Sequence, residues 1–135
     1  MKNRKYFTNI EFSNESIHKF LESSHRDYKI ATESKEEIVS FMFIYNSIIK
    51  ASIALMAHHG LKLRSIPGHH KILLETVKEL LGSKFQSNLD LFQDMRKRRN
   101  SDLYKCSIHI SKTEIKEYLK EAKALLHHIK KLIDK

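Results

Sequence analysis

The stretch IVSFMFIYNSIIKASIALMA, residues 38–57, decides the fold, because it is long and apolar enough to be read either as a membrane span or as a core helix. Asn46 and a mid-segment Lys50 settle the choice. A lysine at the centre of a bilayer costs about 3 kcal/mol even on the lenient insertion scale, so the segment is expected to be a buried helix of a soluble protein, with no membrane contact. Ser34-Lys35-Glu36-Glu37 ahead of it has the Ser-x-x-Glu spacing of a capping box, and Gly60 behind it can close the helix in the left-handed conformation. Ile38, Phe41, Met42, Ile44, Tyr45, Ile48, Ile49, Ala51, Leu55 and Met56 cover more than one narrow stripe. A helix apolar over most of its circumference is either central, or packed on the core one way and on a second subunit the other.

Working outward, Ile17, Phe20, Leu21 and Tyr28 predict an amphipathic helix starting after Ser13 or Asn14, preceded by a fraying basic arm over residues 1–12. LKLRSIPG after Gly60 reads as a loop around the only proline, and HHKILLETVKELLG as a short helix stopped by Gly82. A fourth helix is expected from about Lys84 to Asn100, with SDLYKCSIHIS breaking the pattern. Ser111-Lys112-Thr113-Glu114 is a second capping box, and Ile115, Leu119, Ala122, Leu126, Ile129 and Ile133 then alternate spacings of four and three, as a bundle helix does. Three Gly and one Pro in 135 residues leave little material for hairpins, and no strand alternation of useful length is present. The expected fold is all-α: one domain over residues 1–135, an up-and-down antiparallel bundle of four main helices plus an N-terminal one.

A formal net charge of +9 gives long-range attraction toward polyanions without naming one. No apolar signal-peptide core follows the basic N-terminus, and the single cysteine, Cys106, cannot form an internal disulfide, so a reducing, cytoplasmic setting is expected. There is no glycine-rich phosphate loop and no nucleophile elbow. Nine histidines come largely as neighbours, His58-His59, His69-His70 and His127-His128, which point about 100° apart on a helix and grip one ion poorly. No metal or cofactor is expected.

The polar stretch RRNSDLYKC, residues 98–106, is the candidate site. Continuing the stripe Phe85, Leu89, Phe92, Met95 by threes and fours lands on Arg99 and points it inward, where a guanidinium is costly unless paired or set on water or an anion. The competing reading ends the register at Met95, gives Arg99 to the helix dipole and makes Asn100 a C-cap. Arg96 and Arg99 share a face, whereas Lys97 and Arg98 are expected to be solvated or to steer a polyanion. Tyr104 and Asp102 are candidate partners of Arg99, the tyrosine either stacking on a base and bonding phosphate or ribose, or anchoring the loop.

RNSDLY at the end of the fourth helix, the closing helix SKTEIKEYLKEAKALLHHIKKL, and AHHGLKLRSIPGHHKILLETVKELLG together resemble the HEPN superfamily over roughly residues 34–135. Its mark is an Arg, a polar residue and, after four to six intervening positions, a His, just before the last helix of a small bundle. The resemblance implies a homodimer acting on RNA at the subunit interface by metal-independent cleavage at the 2′-hydroxyl, in many members as a toxin paired with a nucleotidyltransferase-like antitoxin. Arg99 and Asn100 match the first two motif positions, and Tyr104 stands where the His is expected. The expectation is an RNA- or nucleotide-binding helical dimer whose ribonuclease motif is atypical or inactive, since a tyrosine is a poor base near neutrality. The alternatives are a non-catalytic partner of a nucleotidyltransferase, and a structural dimer with Arg99 paired to a carboxylate.

Overall fold

The computed structural model describes residues 1–104 and 109–135, with side chains through Ser101 and again from His109. Its elements are β1 (Phe7–Asn9), α1 (Asn14–Glu33), α2 (Glu37–His58), β2 (Leu61–Leu63), α3 (His69–Leu81), α4 (Gln86–Tyr104) and α5 (Lys112–Ile133), with single 3-10 turns at Arg4–Tyr6 and Ser83–Phe85. The protein is predominantly helical, as composition predicts.

Helix α2 is the hub and touches α1, α3, α4, α5 and β2. Phe41, Ile44, Tyr45, Ile48, Leu55 and Met56 are each at most 1% exposed. Among the described residues it is the one helix long and apolar enough to cross a membrane, and 61% of that window is buried inside the protein. Its buried serines are satisfied by backbone carbonyls. The Ser47 and Ser52 hydroxyls donate to the carbonyls of Ile44 and Ile48 at 2.7 and 2.8 Å, Ser40 donates to Ala31 at 2.8 Å, and Ser24 of α1 donates to Ser47 O at 2.6 Å. Lys50 holds Asp27 of α1 at 2.7 Å, with the carboxylate nearly buried and the ammonium end partly in water. The cation that argues against a membrane span is therefore half of an α1–α2 clamp, its apolar stem lying along the helix pair.

Helix α1 begins where expected, with the Ser13 hydroxyl accepting from the Ser16 N–H at 3.1 Å, and it buries Ile17, Leu21, Ser24, Asp27 and Ala31 on one face. The Ser34–Glu37 capping box does not form. Ser34 is spent closing α1, its N–H on Ile30 O at 3.0 Å and its hydroxyl accepting from Glu36 N–H, so α2 starts from Glu36 with no side-chain cap. At α5 the Ser111–Glu114 box is complete, each side chain satisfying the other's backbone N–H at 3.1 Å. Ile115, Tyr118, Ala122, Leu125, Leu126, Ile129 and Ile133 form its buried face.

Two expectations about the N-terminal half are corrected. The arm over residues 1–12 does not fray: β1 pairs antiparallel with β2, Phe7 against Leu63 and Asn9 against Leu61, and Phe7 is 2% exposed. The segment after Gly60 accordingly starts as a strand rather than a loop. Gly60 makes the turn into it at φ +71°, a conformation that costs a glycine nothing, and its carbonyl accepts from Ile10 N–H at 2.9 Å.

A third correction concerns α4. It runs to Tyr104, so SDLY extends the helix and Asn100 is an exposed residue within it, not its cap.

A candidate anion site between α2, α3 and α4

Helix α4 buries Phe92 and Met95 completely, with Leu89 a turn earlier, and the same face continues into Arg96 and Arg99, both half-buried. Arg99 points inward as the spacing predicts. Its Nε is shielded from solvent and has no hydrogen-bond partner, its guanidinium carbon lies 5.3 Å from the centre of the Tyr45 ring, and Nη1 reaches only the neighbouring Asn100 Oδ1 at 3.5 Å. Arg96, one turn back, donates from Nε to Gln93 at 2.8 Å. Among the described residues neither guanidinium is paired with a carboxylate.

The opposite wall comes from α2 and the first turn of α3. The buried Tyr45 hydroxyl sits 3.0 Å from Nδ1 of His70, and the His69 and His70 rings meet edge to face with centroids 4.4 Å apart. Burial, then the charges of His69, Arg99 and Arg96, lowers the His70 pKa to about 4, so the imidazole is neutral at pH 7. Burial raises the Tyr45 pKa to about 12 against the pull of Arg99 and Arg96, so its hydroxyl keeps the proton. With both groups neutral, the phenol and Nδ1 of the imidazole share this one hydrogen bond. Two half-buried guanidinium groups on one face of α4, one of them over the Tyr45 ring, make a cluster of donors. Such a set suits an anion with several oxygens, phosphate above all, because guanidinium bonds it bidentately.

The basic run divides differently from the sequence expectation. Lys97 is exposed, as expected. Arg98 is not a solvated cation: it binds the Glu114 carboxylate, donates to the Tyr118 hydroxyl at 3.1 Å and reaches the carbonyl of His109, tying α4 to α5. The Arg98 hydrogen bond, with the Ser111 N–H behind it, pulls the Glu114 pKa down to about 2. A carboxylate sixteen residues ahead, on the first turn of the next helix, captures the arginine once α4 and α5 pack. The side chains of Tyr104 and Asp102, the partners expected for Arg99, and Cys106 lie outside the described part of the protein.

Tyr45 and His70 are the functional candidates that sequence reading did not assign to the site. Tyr45 reads as core because it is core, 1% exposed, with its ring under Arg99 and its hydroxyl on His70. The Gly-His-His at 68–70 was the available signal. The other histidine pairs go elsewhere: His58 and His59 meet edge to face at the end of α2, and His128 lies on Phe85 at 4.6 Å. No group of three His, Cys, Asp or Glu among the described residues could hold a metal ion. Compared with known proteins, the chain matches no family model, no curated protein and no solved structure.

Proposed function

We propose that the protein is a HEPN-like helical bundle that binds RNA through its phosphates at the face formed by Arg96, Arg99, His70 and Tyr45, and that it binds without efficient cleavage. One observation carries the reading: Arg99 is held inward with a dry, unpartnered Nε, beside a second half-buried guanidinium and with no carboxylate neutralising either among the described residues. Removing a charge from water costs several kcal/mol per ion when burial is complete and a good part of that when it is partial, and a phosphate oxygen pair offsets it. The same geometry speaks against efficient cutting. The imidazole in the site is held at a pKa of about 4, whereas a base that abstracts a ribose proton works best with a pKa near the working pH.

The resemblance also carries the up-and-down arrangement and a homodimer into this proposal. Helix α2 packs against α1, α3, α4, α5 and β2 of its own chain and leaves Ile38 exposed and Met42, Phe43 and Ile53 partly buried. Light scattering that gives about twice 15.9 kDa supports the dimer, and a monomer at tens of micromolar removes it.

The test is binding of a short single-stranded RNA by fluorescence anisotropy across a salt series. Each neutralised phosphate adds about −0.7 to the slope of log affinity against log salt. Arg99→Ala and Arg96→Ala are each expected to weaken binding at least tenfold and to flatten the slope by about that amount, while Lys97→Ala, on the exposed face, changes affinity less than threefold. Equal effects of all three substitutions would reduce the site to general basicity, and no RNA binding at low salt removes the proposal.

A further inference from the structure

A cavity of about 380 Å³ adjoins the anion site, bounded by Phe12, Phe20 and Ile53 on its apolar side and by β2 on the other. Its volume falls in the range of small-molecule sites, roughly 300–1,000 Å³. Three features bear on what fits it. His70 lines the cavity and hydrogen-bonds Tyr45, over whose ring the Arg99 guanidinium lies, so one histidine and one tyrosine stand between the cavity and that arginine. The strand along it is an open edge. Arg64 N–H donates to Tyr6 O and Ile10 N–H to Gly60 O, each at 2.9 Å, so the intervening Leu61 and Leu63 turn their peptide groups away from β1, and no further strand pairs with them among the described residues. The rim is basic, with the exposed Lys62 and Arg64 lining it.

A flat ring with donors and acceptors on its edge, attached to a phosphate, answers all three. We propose that this cavity is a nucleobase subsite: the base lies between Phe20 and Ile53, its edge is read by the free peptide groups of β2, and its phosphate reaches Arg96 and Arg99 past His70. The proposal rests on the phosphate-binding reading above and adds a second contact that this reading does not require. Apolar walls give affinity for the ring face and a strand edge gives hydrogen bonds, which a phosphate-only site lacks.

Calorimetric titration of the full chain with inorganic phosphate, adenosine and adenosine 5′-monophosphate separates the two sites, and a hexameric oligoadenylate separates a free nucleotide from a nucleotide of RNA. The monophosphate is expected to bind at least tenfold tighter than phosphate. Ile53→Trp, which fills the cavity from α2, should abolish that advantage and leave phosphate affinity within twofold; Leu63→Trp, from the strand side, should do the same should the first variant fold poorly. Arg99→Ala should weaken phosphate and the monophosphate but not adenosine. Competition between hexamer and monophosphate, with Ile53→Trp weakening both, assigns the base to RNA; a hexamer that fails to displace a bound monophosphate assigns it to a free nucleotide and overturns RNA as the occupant of the arginine face. A monophosphate no tighter than phosphate, or cavity-filling variants that keep the tenfold advantage, overturns the subsite while the phosphate site stands. Phosphate binding that is absent, or indifferent to Arg99→Ala, overturns the underlying reading instead.

Discussion

Replacing Arg99 with methionine should stabilise the fold while destroying RNA binding. Methionine keeps the apolar stem that packs beside Tyr45 and removes the guanidinium whose Nε is buried without a partner. A buried unsatisfied donor costs about 1–3 kcal/mol, and relief of the Arg96–Arg99 repulsion on one helix face adds about 0.3 kcal/mol. Against this stands the loss of the cation–π contact with Tyr45, about 1 kcal/mol for a partly exposed guanidinium. The balance is a gain of about 1 kcal/mol, which for a chain of 135 residues raises Tm by about 4 °C. Scanning calorimetry in a buffer free of phosphate and other polyanions reads it. With phosphate present the wild type gains by ligand linkage and the variant does not, so the difference narrows or reverses. Should Arg99→Met lower Tm by 2 °C or more without phosphate, the arginine is a structural residue and the reasoning fails.

The Arg98–Glu114 tie gives an acid-side dependence: the Glu114 pKa is about 2 when folded against an ordinary 4.5, so its stabilisation is present above pH 4.5 and is lost as pH falls from there through about 2. Because the Glu114 side chain is 41% exposed, the tie is worth about 1 kcal/mol, and Arg98→Ala should lower urea stability by that amount at pH 7 and by much less at pH 2.5. Phe7→Ala should cost about 3–4 kcal/mol and raise amide exchange at Arg64, whose N–H donates to Tyr6 O, because Phe7 anchors β1 and is 2% exposed; a change below 1 kcal/mol would restore the picture of a frayed arm.

What the sequence discloses follows the range of each interaction. The Ser111 box is local and reads correctly, as do Ile115, Ala122, Leu126, Ile129 and Ile133 of the α5 seam, while Tyr118 takes the buried place expected of Leu119, and the inward phase of Arg99 follows from three turns of one helix. Lys50 marks α2 as something other than a span, although its partner Asp27 waits on another helix. The failures are contacts that only packing creates. Ser34 is claimed by α1 before α2 can use it, Arg98 is captured by Glu114 of α5, and β1 and β2 are three residues each, too short for alternation to register. The Tyr45–His70 pair joins positions 25 apart on helices whose juxtaposition no spacing rule supplies. Half of the site, the arginine face, was therefore legible in the sequence, and the wall opposite it was not.

The central claim, that phosphate occupies the face between α2, α3 and α4, is tested most directly by titrating His70 by NMR with and without saturating short single-stranded RNA. Free, the imidazole is held at a pKa of about 4 by burial and by His69, Arg99 and Arg96, with Tyr45 hydrogen-bonded to its Nδ1. A phosphate seated on the arginines offsets those cations and favours the imidazolium, so its pKa should rise by at least one unit. RNA that binds tightly while the His70 titration stays in place would contradict the account and put the nucleic acid elsewhere on the protein.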